Sequence, residues 1–157
     1  MDVWGPARVH GQGHERYFLL VVDDYSRYTT VFPFRSRGEV PEVLIDWICV
    51  ARRQLSEGFG SDLPVLCLHS DRGERRIGMV MDVAHTFMIH AAAPHFLWPF
   101  VVQYAAHQIN LQPRVSLPET TPTLRWTGKV GDVSVFRVWG SRAFVCDTSA
   151  DKLSSCA

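Results

Sequence analysis

The sequence predicts an α/β fold in which helices cover a small mixed sheet and an irregular tail follows. Three observations support this prediction. A continuous apolar run and a β-branched run lie on either side of a short polar turn, as in a hairpin. Three later segments repeat their apolar residues at helical spacing. A further apolar run, between the first two of these segments, is too short for a helix and predicts a buried strand.

The hairpin comprises residues 17–24, with the sequence YFLLVVDD, and residues 28–34, with the sequence YTTVFPF. Between them, Tyr25, Ser26 and Arg27 provide the polar turn. Two strands joined by so short a loop pair antiparallel. We therefore expect a hairpin near the start of the chain.

Helical spacing first appears after residue 38 and ends at Glu57-Gly58-Phe59-Gly60, where glycine supplies the left-handed conformation that ends helices. The apolar positions of this first helix are Val40, Val43, Leu44, Trp47, Ile48, Ala51 and Leu55. The short run at residues 63–68 predicts the buried strand. A second helix is expected from Glu74 towards Pro94, and a third from about His95 to Ile109, with Pro99 in its first turn.

The chain changes character after residue 112. Proline and glycine punctuate the remainder, and residues 133–138 and 143–146 have the composition of short extended pieces. The sequence therefore predicts a core over residues 1–112 and a C-terminal extension with short strands over residues 113–157.

Composition excludes several classes of protein. Sixteen basic and sixteen acidic residues give a formal net charge of +0, which argues against a globally basic nucleic-acid binder. No apolar run approaches the length of a membrane span, and the N-terminus lacks a signal-peptide pattern, so we expect an intracellular chain, nuclear or cytoplasmic, without a membrane partner.

Four cysteines without CxxC spacing indicate free thiols. Ser70 beside His69 lacks the G-x-S-x-G pattern of a hydrolase.

Carboxylates next to predicted elements are the best candidates for chemistry. Asp71 follows the predicted buried strand and precedes a tight connection, while Glu74 lies three residues later on the next helix. Asp2 and the pair Asp23-Asp24 are the other acids of this kind. Three carboxylates that converge from separate elements bind Mg²⁺, and a pair of such ions serves phosphoryl transfer. The alternatives are a helix cap for Asp71 and an interaction with the helix dipole for Glu74.

Arginines accompany these acids. Arg72, Arg75 and Arg76 lie beside Asp71 and Glu74 and are candidates for contacts with nucleic-acid phosphates. The alternative for such residues is solvated surface charge.

Five separated motifs then occur in the order of a known family. They are DVWGP at 2–6, YFLLVVDDYSRYTTVFPF at 17–34, LHSDRG with ERR at 68–76, A-x-x-P-x-x-L-W-P at 91–99 and FRVWGSRAFV at 136–145. Together they resemble the integrase catalytic region of Ty1/copia-type retrotransposon polyproteins. The resemblance covers essentially the whole chain.

This resemblance implies a ribonuclease-H-like fold and a triad of two aspartates and one glutamate that binds two Mg²⁺ or Mn²⁺ ions. It also implies 3′-end processing of element DNA and strand transfer into target DNA, with both DNAs as partners, in an enzyme capable of forming homo-oligomers. The triad residues carried over by motif are Asp2, Asp71 and Glu74. The pair Asp23-Asp24 belongs to the family's second strand rather than to the triad.

The chain departs from the family between the second aspartate and the glutamate. Family members place several tens of residues there, including a helix, an edge strand and a loop beside the DNA, whereas here only Arg72 and Gly73 intervene. This implies an internal deletion that removes the edge strand and the loop. Asp71 and Glu74 stay close, because three residues span at most about 10 Å. The strand leading into Asp2 is also missing, so we expect Asp2 to be held weakly.

The sequence leaves two alternatives to an integrase remnant open. One is a non-catalytic α/β module that binds nucleic acid or protein, which predicts DNA binding that persists after the acids are neutralised. The other is a reading frame without a stable product.

Overall fold

A central strand organises the fold, and it is the apolar run of the predicted hairpin. The computed structural model describes residues 1–59, 67–70, 74–113, 119–134 and 136–143. The strands within these ranges are β1 (Asp2–Trp4), β2 (Tyr17–Val22) and β3 (Thr29–Phe34). The α-helices are α1 (Val40–Phe59), α2 (Glu74–His90), α3 (Trp98–Leu111) and α4 (Pro122–Thr127). The predicted α/β class, the hairpin and the three long helices are confirmed.

The strands form an antiparallel sheet in the order β1-β2-β3. Because β2 has a neighbour on each side and helices on both faces, all four of its inner residues are buried, with at most 3% exposure. Phe18 and Leu20 point to one face, and Leu19 and Val21 point to the other. This arrangement is compatible with part of a ribonuclease-H-like fold.

Two layers of helices cover the sheet. Helices α2 and α3 pack on the face of Phe18 and Leu20, where Val80 and Val102 are almost fully buried. Helices α1 and α4 cover the opposite face. There the rings of Tyr28 and Trp126 stack with their centroids 5.3 Å apart, and Trp47 lies 6.5 Å from Trp126.

Local signals set the boundaries of these helices. A 3-10 turn (Arg37–Glu39) leads into α1, and the Ser36 and Glu39 side chains form a reciprocal capping box at its start. Helix α4 begins with a hydrogen bond from the Leu124 N–H to the Thr121 hydroxyl and ends at Gly128, whose φ is 70°. A second 3-10 turn (His95–Leu97) leads into α3.

The sequence predictions for the sheet and the tail differ from the structure in detail. The described sheet is entirely antiparallel rather than mixed, and most of the strand predicted at residues 63–68 lies outside the described residues. Residues 133, 134 and 136–138 are not in a strand, because Val133 and Val138 are exposed and no strand of the described ranges lies beside them to complete a ladder. Of the piece predicted at 143–146, only Ala143 is described. Within the described ranges, no helix is long and apolar enough to cross a membrane.

Candidate functional site

Asp2 is held by the pairing of β1 with β2. It lies opposite Leu20, and Trp4 at the end of β1 stacks on Phe18 with the ring centroids 5.1 Å apart. Asp2 therefore has a strand partner, β2, and the aromatic pair at the end of this three-residue strand fixes its register. Because Leu20 faces α2 and α3, the half-buried Asp2 side chain is on that same face of the sheet.

Glu74 is the first residue of α2, and its side chain is exposed. It lines the same cleft as Asp2, which has a volume of about 1290 Å³. One wall of the cleft is β1 with the segment that follows it, and the other is a side of α2 that includes Ile77 and Met81. The structure thus places two of the three predicted carboxylates on the lining of one largely apolar cleft.

The third predicted carboxylate, Asp71, lies outside the described residues, as does Arg72. The segment just before Asp71 is described, and it meets β1, because the Met1 amino group donates a hydrogen bond of 2.7 Å to the His69 carbonyl. Within the described ranges, no group of three His, Cys, Asp or Glu side chains is arranged to hold a metal ion.

The two described arginines of the predicted nucleic-acid contact differ in their surroundings. Arg75 is exposed, whereas Arg76 is partly buried and its Nη1 atom has no hydrogen-bond partner among the described residues. Burial lowers the pKa of Arg76, and the nearby positive charge of Arg27 lowers it further, while Asp24 acts in the opposite direction. Arg76 therefore lies within electrostatic reach of Asp24 and Arg27, in the turn between β2 and β3.

That turn is built around Asp23. Its carboxylate accepts hydrogen bonds of 2.7 Å from both the backbone N–H and the hydroxyl of Ser26, and Ser26 is buried. Arg27 adopts a positive φ of 61° and forms an exposed ion pair with Asp24. These bonds give Asp23 a structural role in the turn, and they hold Tyr25 out in solvent.

Sequence reasoning did not identify Tyr25 and Arg125 as site residues. The Arg125 guanidinium, on α4, lies 4.1 Å from the centre of the Tyr25 ring. For Tyr25 the sequence did contain a signal, because an aromatic residue in an otherwise polar turn indicates an exposed ring. Nothing in the local sequence indicated that α4 would bring Arg125 to it.

A second cavity, of about 570 Å³, lies between α2, α3 and residues 133 and 136–139. Its lining is mostly apolar and includes Phe87, Tyr104 and Phe136. The Tyr104 hydroxyl donates a hydrogen bond of 2.7 Å to the Arg137 carbonyl, which ties α3 to this segment. The sequence predictions did not include this cavity.

Comparison with known proteins places the chain among retrotransposon sequences. It is 25% identical to the retrovirus-related Pol polyprotein from transposon TNT 1-94 of Nicotiana tabacum. It is 21% and 20% identical to the corresponding polyproteins from transposons RE1 and RE2 of Arabidopsis thaliana. Each similarity covers 91% of this chain. No protein-family model matches the chain.

The chain spans only 11% to 13% of the length of these polyproteins. The similarity to the tobacco protein extends over 170 aligned positions, more than the 157 residues of the whole chain, so that relative contains residues without a counterpart here. These findings support an origin in a retrotransposon Pol polyprotein.

Proposed function

We propose that the chain is a remnant of the integrase catalytic region of such a polyprotein, whose ancestral role is divalent-metal-dependent processing and joining of DNA ends. The observation that carries the proposal is that Asp2 and Glu74, far apart in sequence, line one cleft. Both belong to motifs that resemble the integrase triad. The tobacco relative contains residues without a counterpart here, as an internal deletion in this chain would leave.

The donor atoms of this cleft suit Mg²⁺ or Mn²⁺, which take carboxylate oxygens as ligands. Asp2 Oδ1 accepts a hydrogen bond of 2.8 Å from the Val3 N–H, and no described residue donates to Oδ2. Neither Asp2 nor Glu74 forms an ion pair with another described residue. By resemblance, Asp71 would supply the third carboxylate.

Bound divalent cations would supply charge neutralisation and activation of the attacking oxygen in phosphoryl transfer. The chain's own residues fix where this would occur. Pairing with β2 orients Asp2, and the first turn of α2 places Glu74 on the lining of the cleft. Ile77 and Met81 give the neighbouring wall a low polarity, which strengthens electrostatic interactions at the carboxylates.

Titration with Mn²⁺, followed by electron paramagnetic resonance, tests the site. We expect the parent chain to bind Mn²⁺ at millimolar concentrations, and a double variant, Asp71→Asn with Glu74→Gln, to bind it about tenfold more weakly or worse. Asp46→Asn is the matched control, because Asp46 is an exposed acid on α1, away from the cleft. Equal binding by the parent and the double variant would show that these carboxylates form no metal site.

A further inference from the structure

The turn between β2 and β3 presents an aromatic ring with an open face. Tyr25 is 71% exposed even though the Arg125 guanidinium lies over its ring at 4.1 Å. Since the arginine covers one face, this exposure leaves the other face in solvent. A large aromatic side chain held open to solvent in this way is suited to stacking on a flat ligand.

Three arginines from three different elements surround the Tyr25 turn. Arg27 belongs to the turn itself and pairs with Asp24, and the Arg125 guanidinium reaches the Tyr25 ring from α4. Arg76, on α2, is close enough to Arg27 and Asp24 for their charges to shift its pKa. Arg76 is only partly buried and adds a positive charge near the turn, although its buried Nη1 atom has no acceptor among the described residues. Guanidinium groups match phosphate geometry well, because their planar fork donates two hydrogen bonds at once.

We propose that Tyr25, Arg27, Arg76 and Arg125, here called the turn patch, bind single-stranded DNA, with a base stacked on Tyr25 and the adjoining phosphates held by the arginines. A single strand offers an unpaired base and a phosphate at each step, which matches an open ring surrounded by cations. A duplex hides its base faces and fits the patch less well. The choice of DNA rests on the proposed function, which this inference deepens by naming how the nucleic acid is held.

Asp24 opposes DNA binding at the turn patch, so its removal should change the affinity in the opposite direction to removal of an arginine. Its side chain is 94% exposed and pairs with Arg27, so it both repels phosphate and competes for the arginine. An exposed ion pair of this kind contributes little to stability. Asp24→Asn should therefore strengthen DNA binding without unfolding the protein.

Fluorescence anisotropy with a labelled oligothymidylate of about 15 nucleotides, in EDTA and at low salt, tests the turn patch. Stacking of one base predicts that Tyr25→Ala weakens binding about fivefold or more, while Tyr25→Phe keeps the ring and binds within about twofold of the parent. Arg125→Gln should weaken binding and reduce its salt dependence. Thermal unfolding of each variant confirms that it is folded.

Arg37→Gln is the matched control. Arg37 lies over the Tyr17 ring at 5.4 Å, at the opposite end of β2, so this variant removes the same charge from a similar pair elsewhere. Equal weakening by Arg37→Gln and Arg125→Gln, or unchanged binding by Tyr25→Ala, would overturn the proposal. A preference for the matching duplex would also overturn it. Because EDTA removes divalent ions, a failure here is separate from a failure of the Mn²⁺ site.

Discussion

Replacing Asn110 with leucine tests whether its side-chain hydrogen bonds stabilise the packing of α3 on the sheet. The Asn110 side chain accepts a hydrogen bond of 2.8 Å from the Thr29 N–H and donates one of 2.7 Å to the Thr29 carbonyl. Both residues are buried, with 2% and 3% exposure. Asn110 therefore satisfies both backbone groups of Thr29 at the start of an edge strand, where no further strand is present in the described sheet to do so.

The size of the effect follows from these two bonds. Leaving a buried polar group unpaired costs about 1–3 kcal/mol, so two such groups cost about 2–6 kcal/mol. Leucine has the same branched arrangement of side-chain heavy atoms and recovers about 1–2 kcal/mol by burying apolar surface. The difference between these two ranges is centred at about 2–3 kcal/mol, so we expect the free energy of unfolding to fall by about that amount in Asn110→Leu, a large share of the stability of a domain of this size.

Urea denaturation, followed by circular dichroism, measures this change from the shift in midpoint at constant slope. Gln103→Leu is the control, because Gln103 lies on the exposed side of the same helix and should alter the free energy of unfolding by less than about 0.5 kcal/mol. Hydrogen exchange at the Thr29 amide should also accelerate in Asn110→Leu. If Asn110→Leu lowers the free energy of unfolding by no more than Gln103→Leu does, the two hydrogen bonds do not stabilise the packing of α3 on the sheet.

Two further predictions concern close packing and pH. Gly58→Ala should lower the free energy of unfolding by about 1–3 kcal/mol, because the new Cβ would lie 2.3 Å from the Thr127 carbonyl oxygen. A Cβ at Gly78 would meet no neighbouring group within 4 Å, so Gly78→Ala should instead raise the free energy of unfolding by about 0.5–1 kcal/mol. Calorimetry on both variants distinguishes the two cases. Equal losses of stability would contradict the packing argument. Burial raises the pKa of Tyr28 above its ordinary 10.0, more than Asn110 lowers it, so the folded chain keeps this proton where the unfolded chain releases it. Stability should therefore fall as the pH rises above 10.0, by less in Tyr28→Phe than in the parent, and equal slopes in urea titrations of the two proteins would count against this.

The hairpin and the long helices were predictable because their signals are local. An apolar run beside a β-branched run, and apolar residues at helical spacing, depend only on neighbouring residues. Helix α4 was missed because six residues are too few to show a period, although Thr121, Pro122 and Gly128 carry capping signals. Its stability depends on burial of Trp126 between Tyr28 and Trp47, which is tertiary information.

The candidate site was predictable only in part, for the same reason. Asp2 and Glu74 were identified through the resemblance, since no local pattern joins two acids so far apart in sequence. The three residues of β1 become a strand because β2 offers them an edge and Phe18 offers Trp4 a stacking partner. Tyr25 and Arg125 come together only because α4 packs on the face of the sheet opposite α2.

The first turn of α2 connects the cleft with the turn patch. Glu74 lines the cleft with Asp2. Arg76, two residues later, is close enough to Asp24 and Arg27 for their charges to change its pKa. The register of β1 also brings Asp2 towards the turn. Asp2 pairs with Leu20, which lies about 7 Å along β2 from Val22, the last residue of the strand before the turn. A strand of DNA held at the turn patch would therefore lie near the carboxylates. A slip of β1 by one residue would turn Asp2 to the opposite face of the sheet and separate the two.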